Sequence, residues 1–287
     1  MPAKTPRPDG QAPVLVSKQD GVTTLTMNRA RSLNGWTVEM MLALRAALAN
    51  AANDPATEAV VLTGTGRYYC AGVNLSGTIQ LGPPPEVHER IRSNNQALFD
   101  LFIDYPKPLV AAINGPAIGA AVTTATLCDV VLASPGATFS TPFAALSVPP
   151  EGCSSVVFPR VMGAAQAERM LGSEGWKPTA AEAAAAGLID GVVDAVALLP
   201  TARARARALA DAVKAGGPVR RYRGPSTRAE LLAANASESM QIANAFLSRP
   251  FLEAQAKFLW RKGKRVPAAV FATLWATRPA WGWSLPR

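Results

Sequence analysis

Apolar residues along this chain follow two spacings, alternate positions and every third or fourth position, and the switches between them mark out the elements. Val14 to Ser17 and Val22 to Met27 are short β-rich runs, and the Asp20-Gly21 pair between them signals a hairpin. Thr37 is placed to cap a helix through about Ala52, in which Met40, Leu44, Ala47 and Leu48 recur at helical spacing. Ala59 to Thr63 predicts a strand that ends at Gly64-Thr65-Gly66. Pro85 to Phe102 reads as a second helix, with Val87, Ile91, Leu98, Leu101 and Phe102 available for burial. Pro106 and Pro108 stop it before the strand Leu109 to Ile113.

The alternation then recurs. A helix from Gly119 to Leu127, a strand from Val130 to Ala133 and a short strand from Thr138 to Ser140 lead to the segment Ala145 to Val156. Helices are predicted at Ala165 to Leu171, Thr179 to Ala186, Leu198 to Ala215, Thr227 to Leu247 and Pro250 to Lys262, and no element is assigned around Trp275, Trp281 and Trp283. Strands interleaved with helices imply an α/β class with active groups at the turns leaving the strands. The expected division is a loose leader at residues 1–12, an α/β core at 13–200 and a helical region at 201–287.

Composition narrows the function. With 49% hydrophobic and 17% charged residues in 287, the chain can bury a large core. Three separate cysteines, Cys70, Cys128 and Cys153, and one histidine suggest neither a disulfide framework nor a zinc site. The net charge of +9 resides in residues 201 to 287, where 16 basic residues face 4 acidic ones; residues 1 to 200 carry 13 and 16. Such a region attracts phosphate groups. No zinc-finger spacing, RNP-type aromatic motif or long basic run argues for nucleic acid. Pro108 to Cys128 is uncharged over twenty-one residues, but Asn114-Gly115-Pro116 breaks it, so no membrane span is expected there. His88 lies among charged residues and is expected at the surface rather than in catalysis.

Three turns carry candidate chemistry. In Pro149-Pro150-Glu151-Gly152, Glu151 is the one charged residue between Asp129 and Arg160. If the segment folds inward, the carboxylate is a candidate general base aimed at an acidic carbon; the same letters also describe a surface turn. In Tyr68 to Leu75, Ala71 and Gly72 permit a close backbone approach, so that the Val73 amide can meet a ligand oxygen. In Asn114 to Ala121, a helix start presents the Ala120 amide. If both amides point at one place they form an oxyanion hole; small residues chosen only for packing give the same pattern.

At these residues the chain resembles the crotonase, or enoyl-CoA hydratase/isomerase, family from about Pro13 to Val266. The blocks that carry the resemblance are Met27-Asn28-Arg29 with Asn34, Val60 to Gly64 leading to Cys70-Ala71-Gly72-Val73-Asn74-Leu75, Lys107-Pro108 with Asn114 to Gly119, and Cys128-Asp129. The resemblance implies a crotonase-like spiral of repeated ββα units with a C-terminal helical oligomerisation region. It implies an acyl-CoA thioester substrate whose oxygen is held by the Val73 and Ala120 amides. Coenzyme A then enters as part of the substrate, and no separate cofactor or metal is implied.

Hydratases of the family carry two catalytic glutamates, and here Thr123 and Phe143 stand at the matching positions. The stretch from Ala137 to Pro159 looks instead like the peroxisomal type of Δ3,Δ2-enoyl-CoA isomerase, in which the glutamate matching Glu151 is the base. Arg31, Cys70, Ala71, Gly72, Gly119, Phe143, Lys257, Phe258 and Lys262 are implied to contact substrate or its CoA portion. The resemblance further implies a homotrimer or homohexamer. It leaves hydration, another acyl-CoA reaction or a non-catalytic acyl-CoA-binding module as alternatives. The start lacks the apolar core of a signal peptide, and Leu285-Pro286-Arg287 does not match a Ser-Lys-Leu address, so the expected location is cytoplasmic or peroxisomal. Departures from the family pattern are Ala30 for the usual proline, Asn74 for the common aspartate and Ala120 for a glycine.

Overall fold

The computed structural model describes residues 12–73 and 82–285. The leader at 1–11, Asn74 and Leu75 of the first turn, and Pro286-Arg287 lie outside the described residues. The Asp20-Gly21 pair turns as expected, both residues having positive φ (49° and 75°), and joins β1 (Val14–Gln19) to β2 (Val22–Met27) in an antiparallel hairpin. From β2 onward the sheet is parallel, through β3 (Ala59–Gly64), β4 (Leu109–Ile113), β6 (Val130–Ala133) and β8 (Gly191–Val192), in the order β1-β2-β3-β4-β6-β8. A second, two-stranded parallel sheet pairs β5 (Ala117–Ile118) with β7 (Phe139–Ser140).

Alternation along the strands divides the core. Val60, Leu62, Ala111 and Ile113 point into the larger cluster, which includes Leu44 and Leu48 of α1 (Val38–Asn53) and Phe99 and Phe102 of α2 (Pro84–Ile103). Ala59, Val61, Val110 and Ala112 point the other way. There Leu198, Ala202, Ala206 and Ala210 cover them, from a helix, Ala195–Lys214, that runs across the expected boundary at residue 200. Four alanine or leucine positions spaced by four bring that helix close to the sheet, so it is part of the α/β layer.

The stretch 108–128, uncharged but broken by Asn-Gly-Pro, forms β4, β5 and the short helix α3 (Ala120–Thr126). Among the described residues no helix is long and apolar enough to cross a membrane. Further helices are α4 (Ser154–Met162), α5 (Ala164–Leu171) and α6 (Ala180–Ala185), followed by α7, the helix Ala195–Lys214. The C-terminal part consists of α8 (Arg228–Phe246), α9 (Arg249–Arg261) and α10 (Arg265–Trp281). Thr227 opens α8 with a reciprocal capping box to Glu230. The tryptophan-rich end, left unassigned by periodicity, is therefore mostly helix. Its Ala268 and Phe271 pack with Phe251, Leu252 and Leu259 of α9 in a small separate core.

One expectation is overturned. His88 is buried, at 1% exposure, because α2 packs lengthwise on α8; its Nε2 meets Asn244 Oδ1 at 2.8 Å. Of the charged neighbours that suggested a surface position, Glu86 and Glu89 are exposed, while Arg90 and Arg92 are half-buried.

Candidate active site

The two small-residue turns converge because short stretches of backbone pair across them. Cys70 bridges Ala117 in parallel, and the Ile118 amide donates to the Cys70 carbonyl at 3.0 Å. Val73 stands three residues beyond Cys70, and Ala120 three beyond Ala117. Gly72 makes the approach possible: its φ is +80°, and a Cβ there would lie 2.7 Å from the Ile118 carbonyl oxygen. Among the described residues neither the Val73 amide nor the Ala120 amide donates to an acceptor. Ala120 is the first residue of α3, where amides lack partners within the helix.

Two asparagines brace the loop between β3 and the first turn. Asn34, fully buried, donates from Nδ2 to the carbonyls of Thr65 and Tyr68 at 2.9 Å each and accepts from the Arg29 amide at 2.8 Å. Asn114 accepts from the Gly64 amide at 3.1 Å and donates to the Gly66 carbonyl at 2.9 Å. Rigid placement of the backbone is what an electrostatic site needs.

Glu151 turns inward. Gly152 and Cys153 both adopt left-handed φ, 65° and 63°, which reverses the chain directly after the carboxylate and starts α4. A side chain on Gly152 would sit 2.4 Å from Phe99 Cε1 and 2.7 Å from Thr123 Oγ1, so only glycine lets this turn seat against the core. Asn95 of α2 donates from Nδ2 to Glu151 Oε2 at 2.7 Å. Burial pushes the Glu151 carboxyl up, the Asn95 hydrogen bond pulls it back and the charge of Glu238 adds to the rise, leaving it at about 7. Such a group exchanges protons readily near neutrality.

Glu151 and Val73 line one cavity of about 270 Å³. Its walls are Val38 and Met41 of α1, Val87, Ile91 and Leu98 of α2, and Ile242 and Phe246 of α8, with Arg45 and Arg90 as the basic members. Among its described lining residues Glu151 is the single acid. Thr123 is buried with its hydroxyl donating to the Ala120 carbonyl at 3.3 Å, and Phe143 is buried beside a short turn, its carbonyl accepting from Val148. Neither lines the cavity. The cavity offers one proton acceptor beside Val73 in largely apolar surroundings, and Ala120 is not among its described lining residues.

The remaining expected contact residues are dispersed. Cys70 is buried, and burial pushes its thiol up to about 12, so it acts as a packing residue. Gly119 carries a φ of 60° directly before α3, and Ala71 donates its amide to the Leu33 carbonyl. Arg31 is exposed. Lys257 pairs with Glu253 at 2.6 Å, and the Lys262 ammonium lies 5.9 Å from the Phe258 ring on α9, outside the Glu151 cavity of the same chain. Asn95, Glu238, Ser239 and the α8 wall were absent from the sequence-based site; a polar Asn94-Asn95 pair inside an otherwise amphipathic helix was the available signal.

The sequence model of the family described as enoyl-CoA hydratase/isomerase matches residues 17–217. The chain is 38% identical over 258 residues to enoyl-CoA delta isomerase 2 of Homo sapiens, covering 88% of this chain and 64% of that one. It is 44% identical over 179 residues to enoyl-CoA delta isomerase 3, peroxisomal, of Mus musculus, covering 61% and 55%. It is also 38% identical over 182 residues to chromodomain Y-like protein 2 of Homo sapiens, covering 62% and 36%. The chain thus spans between about half and two thirds of the length of the two isomerases. Among solved structures, an enoyl-CoA hydratase/isomerase from Pseudoalteromonas atlantica T6c superposes with a TM-score of 0.72 at 28% identity, covering 87% of this chain and 97% of that one.

Proposed function

The chain belongs to the enoyl-CoA hydratase/isomerase family, and on that premise we propose that it shifts the double bond of a 3-enoyl-CoA to the 2-trans position. The observation that carries this reading is that Glu151, with its carboxyl at about 7, is the single acid among the described lining residues of a cavity that it shares with Val73. The similarity to two enoyl-CoA delta isomerases supports it.

In this reading the thioester oxygen accepts from the Val73 and Ala120 amides, which stabilise the negative charge that develops when carbon 2 loses a proton. Glu151 takes that proton. The electron pair delocalises into the enolate, the double bond moves between carbons 2 and 3, and the same carboxylic acid returns the proton to carbon 4. One base serves both steps, which matches a cavity with one acid. The apolar side chains of α1, α2 and α8 receive the acyl chain and keep water from competing for the proton. A carboxyl at about 7 is ionised in a useful fraction at neutral pH and still basic enough to attack carbon 2.

Hydration by the two-glutamate route calls for a second acid facing the substrate, and among the described lining residues Glu151 is the single one, with Thr123 and Phe143 standing where that route has its glutamates. The test is conversion of 3-hexenoyl-CoA to the conjugated 2-enoyl thioester, beside Glu151→Gln and beside hydration of crotonyl-CoA. Isomerisation lost in the variant supports the reading. Hydration faster than isomerisation, or no turnover with CoA binding retained, overturns it.

A further inference from the structure

Two neighbouring residues of α8 reach the carboxylate turn by separate routes. Ser239 Oγ donates to Asn95 Oδ1 at 2.9 Å, which fixes the amide so that its Nδ2 faces Glu151. Glu238 is buried at 3% exposure and accepts from the Cys153 amide at 2.6 Å, the Ser155 amide at 3.1 Å and the Ser155 hydroxyl at 2.5 Å. These donors lie two and four residues beyond Glu151, at the start of α4, where a negative charge also meets the positive end of the helix. Resting on the isomerase reading above, we propose that Glu238 and Ser239 are positioning residues for Glu151. Ser239 orients the amide that holds the carboxylate, and Glu238 holds the turn from which it projects.

The arrangement has two features beyond packing. Asn95 has one donor group and one acceptor group, and a 180° flip of the amide exchanges them; Ser239 Oγ has two amide oxygens in reach, Asn95 Oδ1 at 2.9 Å and Asn235 Oδ1 at 3.3 Å, and its proton on the nearer one favours the orientation in which Glu151 receives a donor. A buried residue that served only to fill space needs no such selection. Glu238 places a second carboxylate close enough for its charge to raise Glu151. Burial raises the Glu238 carboxyl above its ordinary value, and the hydrogen bonds from Ser155 and Cys153 pull it back toward the charged form. The other charged groups facing Glu151 are Arg45 from α1 and Arg90 from α2, which line the same cavity. Its own turn carries no further charge between Asp129 and Arg160. Asp100 of α2 is held by Asn235, one turn before Ser239.

The two residues therefore act on Glu151 in opposite directions. Removing the Glu238 charge removes a cause of the rise, so Glu238→Gln lowers the pH at which Glu151 ionises. Removing the Ser239 hydroxyl lets the Asn95 amide turn its oxygen toward Glu151, so Ser239→Ala raises it and lowers kcat roughly tenfold with KM little changed. A structural defect common to both variants does not produce shifts of opposite sign.

The experiment titrates the Glu151 carboxyl directly by carbon-13 NMR in the full chain, with the resonance assigned by its loss in Glu151→Gln. It also measures the pH dependence of kcat on 3-hexenoyl-CoA. Opposite movements of the midpoint in Glu238→Gln and Ser239→Ala, with Ser239→Thr restoring the wild-type value, support the proposal. An unmoved midpoint in either variant overturns the role of that residue. If the wild type does not isomerise and the midpoints still move apart, the isomerase reading fails and the positioning stands. Ser239→Ala removes a single oxygen atom and no charge, so it decides the matter if Glu238→Gln does not fold.

Discussion

Cys70 and Ala117 face one another in a parallel bridge that places two otherwise unrelated turns side by side, with the Ile118 amide donating to the Cys70 carbonyl at 3.0 Å. Each strand-like stretch continues for three residues to an amide that has no acceptor among the described residues, Val73 on one side and Ala120 on the other. The proposed oxyanion site is thus a consequence of backbone pairing, and side chains at those two positions are secondary to it.

Gly72→Ala tests the closeness of the turns. The added methyl meets the Ile118 carbonyl at 2.7 Å and the residue keeps a φ of +80°, so the Val73 amide must move. The expected result is a loss of about 10²-fold in kcat on 3-hexenoyl-CoA, with secondary structure by circular dichroism unchanged.

Glu151→Gln is expected to lower kcat by about 10³-fold. In the wild type kcat rises with pH as Glu151 ionises and levels off above about 7. Stability runs the other way. The ordinary value of the carboxyl is 4.5 and the folded value about 7, so the folded protein holds the proton more tightly than the unfolded chain. That contribution is complete below about 4.5 and is lost as pH rises through 7, up to about 3 kcal/mol. Thermal denaturation at pH 8 is therefore expected to show Glu151→Gln more stable than the wild type, and at pH 4.5 the difference disappears.

Asn95→Ala removes the donor that holds Glu151 down. The acid limb of kcat moves to higher pH, and activity at neutral pH falls about fivefold or more. A pH profile of kcat that coincides with that of the wild type contradicts this role.

Ile91→Phe adds bulk to the apolar lining of the Glu151 cavity. Each acyl methylene excluded from the wall forfeits about 0.8 kcal/mol of burial. The ratio of kcat/KM for 3-decenoyl-CoA to that for 3-hexenoyl-CoA is expected to fall about tenfold, measured by substrate competition.

Asp129→Ala tests the attachment of the C-terminal segment to the sheet. The carboxylate, 1% exposed, accepts from the Leu109 amide at 2.7 Å and the Arg221 amide at 2.6 Å and pairs with Arg220 at 3.1 Å. Its loss leaves a buried guanidinium and two amides without their partner, a cost of about 3 to 5 kcal/mol. Urea unfolding followed by tryptophan fluorescence reads the change.

By itself the sequence determined the parts that depend on local chemistry. Strand and helix rhythm placed β1 to β4 and most helices to within a few residues, because side-chain period and turn residues are set by near neighbours. The uncharged run around Glu151 and the Pro-Pro-Glu-Gly letters marked the turn as unusual before any fold was considered. Recurrent blocks of small residues pointed to the two amides.

Only the tertiary structure decided what surrounds those groups. Asn95, Glu238 and Ser239 reach the carboxylate turn from α2 and α8, and a hydrogen bond across 56 or more residues leaves no periodic trace in the chain. His88 was misjudged for the same reason: Glu86 and Glu89 beside it mark exposed positions of α2, while burial of the ring depends on α8, which folds against it from far along the chain. The final helix escaped notice because its apolar residues are spread around the helix, and only its pairing with α9 selects which of them to bury.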